Sequence, residues 1–92
     1  MDESKKGIIT VIGHDRVGII ARVCAYLSER GVNILDISQS IIQGYFNMLM
    51  IVDLGGQTPF DALESGLAAI GEEIGVIIKL QHEDIFNTMH RL

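Results

Sequence analysis

The sequence has one cysteine, one proline and no apolar run that approaches the length of a membrane span. A single cysteine excludes a disulfide within the chain, and a membrane-spanning helix needs about 20 consecutive apolar residues. The first residues, MDESKKG, also lack the apolar stretch and the small-residue cleavage site of a secretory signal. We therefore expect a cytoplasmic protein that does not span or bind a membrane.

Basic and aromatic residues are scarce as well. Seven Lys and Arg side chains stand against twelve Asp and Glu, so the formal net charge of −5 repels phosphate backbones. An RNA-recognition surface would need paired exposed aromatics with basic neighbours on the central strands, and the sequence does not provide them. Nucleic acid is therefore not an expected partner.

The 92 residues, 48% of them apolar, predict one globular domain over residues 1–92. A two-domain enzyme is excluded at this length. The mean hydropathy is positive, which predicts more apolar surface than one small domain can bury. We therefore expect the chain to pair with a second copy of itself as a homodimer.

The first half of the chain alternates between strand-like and helical patterns. Residues 7–13, GIITVIG, are β-branched and bounded by glycine, which predicts a strand. A helix should follow and end near Arg30, with Gly31 as a left-handed cap. Its apolar face follows the i, i+3, i+4, i+7 spacing and comprises Ile20, Val23, Cys24 and Leu27.

Residues 33–42 and 45–53 read as two strands of a hairpin around Gln43 and Gly44. If Ile42 lies opposite Tyr45, one face is apolar and the other is mixed. The apolar face then holds Leu35, Ile37 and Ile41 with Val52, Met50 and Phe46, and the mixed face holds Asp36, Ser38 and Ser40 with Ile51, Leu49 and Asn47.

The second half predicts a helix and a fourth strand. Thr58 and Pro59 resemble an N-cap and a first helical residue, and the helix should stop at Gly75. A strand over residues 76–83 follows, and a short terminal helix within residues 84–92 could cover part of the mixed face. The apolar stripe of the longer helix comprises Phe60, Leu63, Leu67, Ile70 and Ile74, and that of the terminal helix Ile85, Phe86 and Met89.

The resulting order, βαββαβ, predicts an α+β fold of the ferredoxin-like type. Its four-stranded antiparallel sheet carries both helices on one face, which satisfies the right-handed crossover rule. Fold order alone does not specify chemistry.

The turn between the first strand and the first helix, GHDRVGIIARV, is the most informative segment. Unpaired N–H groups at a helix N-terminus suit a carboxylate or phosphate, and Gly18 leaves the backbone accessible. Asp15 could accept hydrogen bonds from an ammonium group, and Arg16 could add positive charge at the rim. The same residues also fit a structural explanation, in which Asp15 caps the helix and Gly18 allows close helix–strand packing.

The remaining polar candidates carry weaker signals. The Asn33 amide can both donate and accept hydrogen bonds, which suits an amino-acid ligand, although asparagine is also a common turn residue. The three histidines come from separate segments and match no metal-site spacing, so no metal and no cofactor are expected. Cys24 is expected to be buried and inert. Ser38 and Ser40 have no nearby base, which argues against a nucleophilic enzyme.

Taken together, TVIGHDRVGIIARV, LSERGVNILDISQS and the βαββαβ order over the whole chain resemble an ACT domain. More narrowly, the chain is similar to single-domain ACT proteins of the glycine-cleavage-system repressor type. The resemblance implies side-by-side pairing into one continuous sheet, with a small amino acid bound at the seam. Carried over by position, the candidate binding residues are His14, Asp15, Arg16, Val17 and Gly18 of one chain and Asn33 of its partner.

We therefore expect a non-enzymatic, homodimeric sensor or regulatory subunit that binds a small amino acid or related metabolite and acts on a separate protein. Two alternatives stay open. Arg16 and Asn33 resemble the phosphate-binding pair of acylphosphatases, which would make the protein a hydrolase. The domain could also be a protein-docking module without a small ligand.

Overall fold

The computed structural model describes residues 6–14, 17–55 and 59–83. The described chain forms a four-stranded antiparallel sheet in the order β2-β3-β1-β4 with two helices on one face, which confirms the predicted ferredoxin-like α+β fold. The predicted terminal helix in residues 84–92 lies outside the described residues. The elements are β1 (Lys6–His14), α1 (Ile19–Glu29), β2 (Asn33–Ile42), β3 (Tyr45–Asp53), α2 (Phe60–Ile74) and β4 (Val76–His82).

Glycines with positive φ bound helix α1. Gly18 precedes the helix with φ 94°, and Gly31 follows it with φ 74°. The predicted left-handed cap at Gly31 is therefore confirmed. The buried face of the helix differs slightly from the prediction, because Ile19 and Tyr26 are buried whereas Ile20 and Cys24 are only partly buried.

Helix α2 begins one residue later than predicted. Pro59 has an extended backbone (φ −60°, ψ 134°), so it is the N-cap and not the first helical residue. Its carbonyl oxygen accepts a hydrogen bond from the Leu63 N–H at 3.0 Å, as expected of an N-cap residue. Thr58 lies outside the described residues. The predicted end is confirmed, since Gly75 takes the left-handed conformation (φ 80°).

The β2–β3 hairpin has the predicted turn. Gln43 and Gly44 both have positive φ (50° and 83°), as a type I′ turn requires. Ile42 lies opposite Tyr45, and the predicted register continues from there to Asp36 opposite Ile51.

The predicted pairing of Leu35 with Val52 is wrong, because a β-bulge lies between Ile34 and Asp36 and places Ile34 opposite Val52. A bulge adds one residue to one strand and thereby exchanges the faces of the residues beyond it. Ile34 packs against the core, and Leu35 is 46% exposed. The alternation of the sequence does not reveal this exchange, since both residues are apolar.

The core lies between the helices and one face of the sheet. Met48 and Met50 are buried there as core side chains. Gly13 allows close strand packing, because a Cβ at this position would lie 2.7 Å from Cγ1 of Val76. The residues with essentially no exposure are Ile9, Val11, Val23, Leu27, Met50, Val52, Leu63 and Leu67.

Candidate functional site

The first turn joins the end of β1 to the start of α1. Asp15 and Arg16 lie outside the described residues. Val17 and Gly18 are exposed, and the Gly18 carbonyl accepts the first helical hydrogen bond from the Arg22 N–H at 2.9 Å. No atom lies within 4 Å of the position a Gly18 Cβ would take. Gly18 is therefore required for its positive φ and its open surface, and the alternative that it permits close helix–strand packing is wrong.

The first residues of α1, Ile19 to Ala21, line a concave surface together with Gly18. Gly18, as the N-cap of α1, has no side chain to accept hydrogen bonds from the N–H groups of this turn. The N-terminus of a helix carries about half a positive charge. This turn can therefore offer N–H donors and positive potential to an anionic group.

A cavity of about 520 Å³ opens beside this turn. Its described lining joins the first turn of α1 to the end of the hairpin, and none of these described residues has a charged side chain. The residues that line it are Gly18, Ile19, Ile20, Ala21, Gln39, Ile41 and Phe46.

Gln39, Ile41 and Phe46 are lining residues that the sequence prediction of the site missed. Gln39 alternates with Ile37 and Ile41, so it is a polar residue at a position where the register predicts an apolar one. That mismatch is the signal in the sequence that could have identified Gln39.

The His14 side chain points away from this cavity. Its ring stacks on Tyr45, with 4.8 Å between ring centroids. His14 alternates with Ile9 and Val11, which belong to the core, so its side chain lies on the opposite face of the sheet. Only the backbone of His14 can contribute to a site at the first turn.

Asn33 lies at the other end of the sheet. It pairs with Asp53, which also pairs with Lys6 at the start of β1, whereas His14 ends that strand. Eight strand steps separate the two ends by about 26 Å. A single chain therefore does not bring Asn33 to the first turn, and the hydrolase alternative, in which Arg16 and Asn33 would hold one phosphate, loses its geometric basis.

A second cavity, of about 400 Å³, includes Asn33 and lies between the end of α1 and the start of β2. Asn33 is exposed there. The other lining residues are Cys24, Ser28, Gly31, Val32 and Ile34.

Strand β2 connects these two cavities and is an edge of the sheet. Among the described strands its one neighbour is β3, and every residue of β2 except Ile34 is exposed. Ile37 and Ile41, 40% and 59% exposed, lie on the side of the sheet that carries the helices. An edge strand with exposed apolar side chains is prone to pair with another strand.

The other candidate residues are Cys24, the remaining histidines and the two serines of β2. Partial burial raises the pKa of the Cys24 thiol, which disfavours the reactive thiolate. His82 stacks on Phe60, with 4.1 Å between ring centroids, and His90 lies outside the described residues. Within the described ranges, no group of three or more His, Cys, Asp or Glu side chains could hold a metal ion. Ser38 and Ser40 line a shallow pocket with Thr10 and Asn47, and none of the described residues that line it is titratable.

These features define a small ferredoxin-like domain with a cavity at its first turn and an edge strand with exposed apolar side chains. The chain belongs to the ACT domain family, whose model matches residues 7–81. A UPF0237 protein from Bifidobacterium longum is 58% identical over 88 residues, which cover 95% of this chain and 98% of the relative. The ACT domain protein from Streptococcus pneumoniae is a structural neighbour with a TM-score of 0.82 and 38% sequence identity. The match covers 91% of this chain and 96% of that protein's chain.

Two further structural neighbours have regulatory names. A candidate glycine cleavage system transcriptional repressor is 25% identical with a TM-score of 0.77, and the match covers 88% of this chain and 47% of that one. The regulatory subunit of aspartate kinase from Thermus thermophilus is 26% identical with a TM-score of 0.67, over 86% of this chain and 52% of that one. The family and these neighbours support a ligand-binding, regulatory role and favour a non-catalytic one.

In the part of the chain that the structure describes, neither helix is both long enough and apolar enough to cross a membrane.

Proposed function

We propose that this protein is a homodimeric sensor or regulatory subunit that binds a small amino acid or related metabolite at its dimer interface. The observation that carries the proposal is the division of the candidate site. Gly18 with its cavity lies at one end of β2, and Asn33 lies at the other. The proposed site is therefore incomplete in one chain.

Antiparallel pairing of two β2 edges would complete the site. In a two-fold symmetric pair that spans the whole strand, Asn33 lies opposite Ile42 of the partner subunit. Ile41 lines the cavity beside Gly18, so this pairing brings the partner's Asn33 to that cavity. The symmetry produces two equivalent sites.

The chemistry of this composite site fits a zwitterion. The amides that follow Gly18 complement a carboxylate. Asn33 of the partner subunit and Asp15 can accept hydrogen bonds from an ammonium group, so both ligand charges gain partners. The apolar wall formed by Ile20, Ile41 and Phe46 leaves room for a small side chain.

A ligand that binds only the paired state must stabilise it. The regulatory output would then be a change in dimer stability, or in a docking surface for a separate protein. We place the domain in the cytoplasm, where amino-acid concentrations vary with metabolism.

The test is a thermal-shift screen of the full chain against the twenty amino acids at millimolar concentration. At a hundred times its Kd, a ligand should contribute about 2.7 kcal/mol of stabilisation per site and raise the Tm by roughly 10–20 °C. Asn33→Ala should remove most of this shift. Because Asn33 is exposed, the Tm without ligand should change little.

Asn47→Ala is the matched control, since Asn47 lies on β3 and faces away from the proposed site. It should keep the full ligand response. If no amino acid raises the Tm and the protein sediments as a monomer at every concentration, the proposal is wrong. A domain that shows no ligand response but binds a partner protein would instead be a docking module.

A further inference from the structure

Gln39 is the one hydrogen-bonding side chain among the described residues that line the first-turn cavity. The backbone N–H groups of the turn can bind the carboxylate that every amino acid carries, and apolar walls accept any side chain of suitable size. An amide beside them can distinguish one ligand side chain from another. The other described lining residues are Gly18, Ile19, Ile20, Ala21, Ile41 and Phe46.

The register places the Gln39 side chain on the side of the sheet that carries the helices. Gln39 lies opposite Met48, which is buried in the core, and directly opposite residues of an antiparallel pair share a face. Ile41 lies two residues further along β2, faces the same way and lines the same cavity. Gln39 and Met48 also border the shallow pocket on the other side of the sheet, where the alternation leaves only their backbone atoms.

The strand around Gln39 is apolar on this side. The adjacent side chains on the same side of β2 are Ile37 and Ile41. Gln39 is exposed, and its side-chain amide has no hydrogen-bond partner within the described part of the chain. Pairing of two β2 edges would place it inside a joint sheet, where a polar group that loses water without gaining a partner costs free energy. The ligand in the adjacent cavity can supply that partner.

We propose that Gln39 determines the specificity of the site, and that the ligand is an amino acid whose side chain carries a hydroxyl or a carboxamide. This inference rests on the proposed function, since it assigns the side chain of the ligand bound there. A glutamine amide both donates and accepts hydrogen bonds, so it can pair with either group. A neutral amide compensates a charged side chain poorly, and none of the described lining residues offers a counter-ion.

The test is isothermal titration of the full-length protein with amino acids of matched shape. Serine is compared with alanine, threonine with valine, and glutamine with methionine. The polar member of at least one pair should bind roughly tenfold more tightly, because the apolar member leaves the protein amide unpaired. Gln39→Met keeps the length of the side chain and removes the amide, so it should abolish this preference. Because Gln39 is exposed, the Tm without ligand should change little.

Ser38→Ala is the matched control, since Ser38 is the exposed neighbour of Gln39 on β2 and faces the other side of the sheet. It should keep the wild-type preference. Three results overturn the inference and leave the proposed function intact: equal binding of both members of every pair, a preference that survives Gln39→Met, or an equal loss of all amino acids in Gln39→Met. If no amino acid binds the wild-type protein, the proposed function is wrong as well.

Discussion

Among the described residues, Gly13, Gly66 and Gly71 are required because a Cβ would overlap a neighbouring group, and not because of a positive φ. Gly13 lies against Val76, and Gly66 of α2 lies against the ring of Tyr26 on α1. Tyr26 is 7% exposed, and the Arg30 guanidinium lies 4.7 Å from its ring centroid. Glycine at position 66 lets the two helices approach each other at a large aromatic side chain.

Gly66→Ala should therefore destabilise the protein. Alanine is favoured over glycine in a helix interior by about 1 kcal/mol, but its Cβ would overlap the Tyr26 hydroxyl and ring. Overpacking of this kind costs about 1–3 kcal/mol, so we expect a net loss in the free energy of unfolding, measured by urea denaturation.

Ser65→Ala is the control for this substitution, because Ser65 is exposed on the same helix and has no such contact. It should leave stability unchanged or slightly raised. A Gly66→Ala protein as stable as the wild type would contradict the close helix approach.

At the scale of secondary-structure elements, strand β2 differs from the opposite edge strand β4. Strand β4 packs against α2 and alternates buried with exposed residues, whereas β2 is exposed almost throughout. We infer that β2 is the edge used for pairing.

Ile37→Lys should weaken the dimer without unfolding the chain. A lysine on an edge strand opposes strand pairing, and Ile37 is 40% exposed, so the cost to the fold is small. We expect the dimer dissociation constant to rise about tenfold or more, equal to ~1.4 kcal/mol, as measured by analytical ultracentrifugation.

Ile77→Lys places the same substitution on β4, where Ile77 is 63% exposed. It should leave the dissociation constant unchanged. If Ile77→Lys dissociates the dimer and Ile37→Lys does not, the pairing edge is β4.

The sequence was sufficient to predict the order of the elements and the hairpin register from Asp36 to Ile42. It was also sufficient to predict that α1 and α2 end at glycines, Gly31 and Gly75. These features depend on local rules of periodicity and backbone angle. The bulge at Leu35 could not be predicted, because two adjacent apolar residues fit either face. The predicted start of α2 was one residue too early for a similar reason, because proline is compatible with both the N-cap and the first helical position.

The candidate site was only half predictable. Gly18 could be assigned from its sequence context, whereas Gln39 and Phe46 contribute through a cavity that exists only after α1 packs beside the hairpin. The distance between Asn33 and the first turn depends on the sheet register. Sequence spacing carries no information about it.

At the scale of the whole molecule, the account depends on two chains that share each binding site. Gly18→Ala should damage the Gly18 wall of both sites in a homodimer, because an L-residue is strained at φ 94° and the turn must change its backbone conformation. Asn33→Ala damages the other wall. Each variant homodimer should therefore lose the ligand that the screen identifies.

The most direct measurement is isothermal titration of that ligand into an equimolar mixture of the Gly18→Ala and Asn33→Ala proteins after subunit exchange. Each mixed dimer would combine one intact Gly18 wall with one intact Asn33, so the mixture should recover about a quarter of the wild-type sites at wild-type affinity. If the mixture binds no more ligand than the separate variants do, the site does not span two chains and the account is wrong.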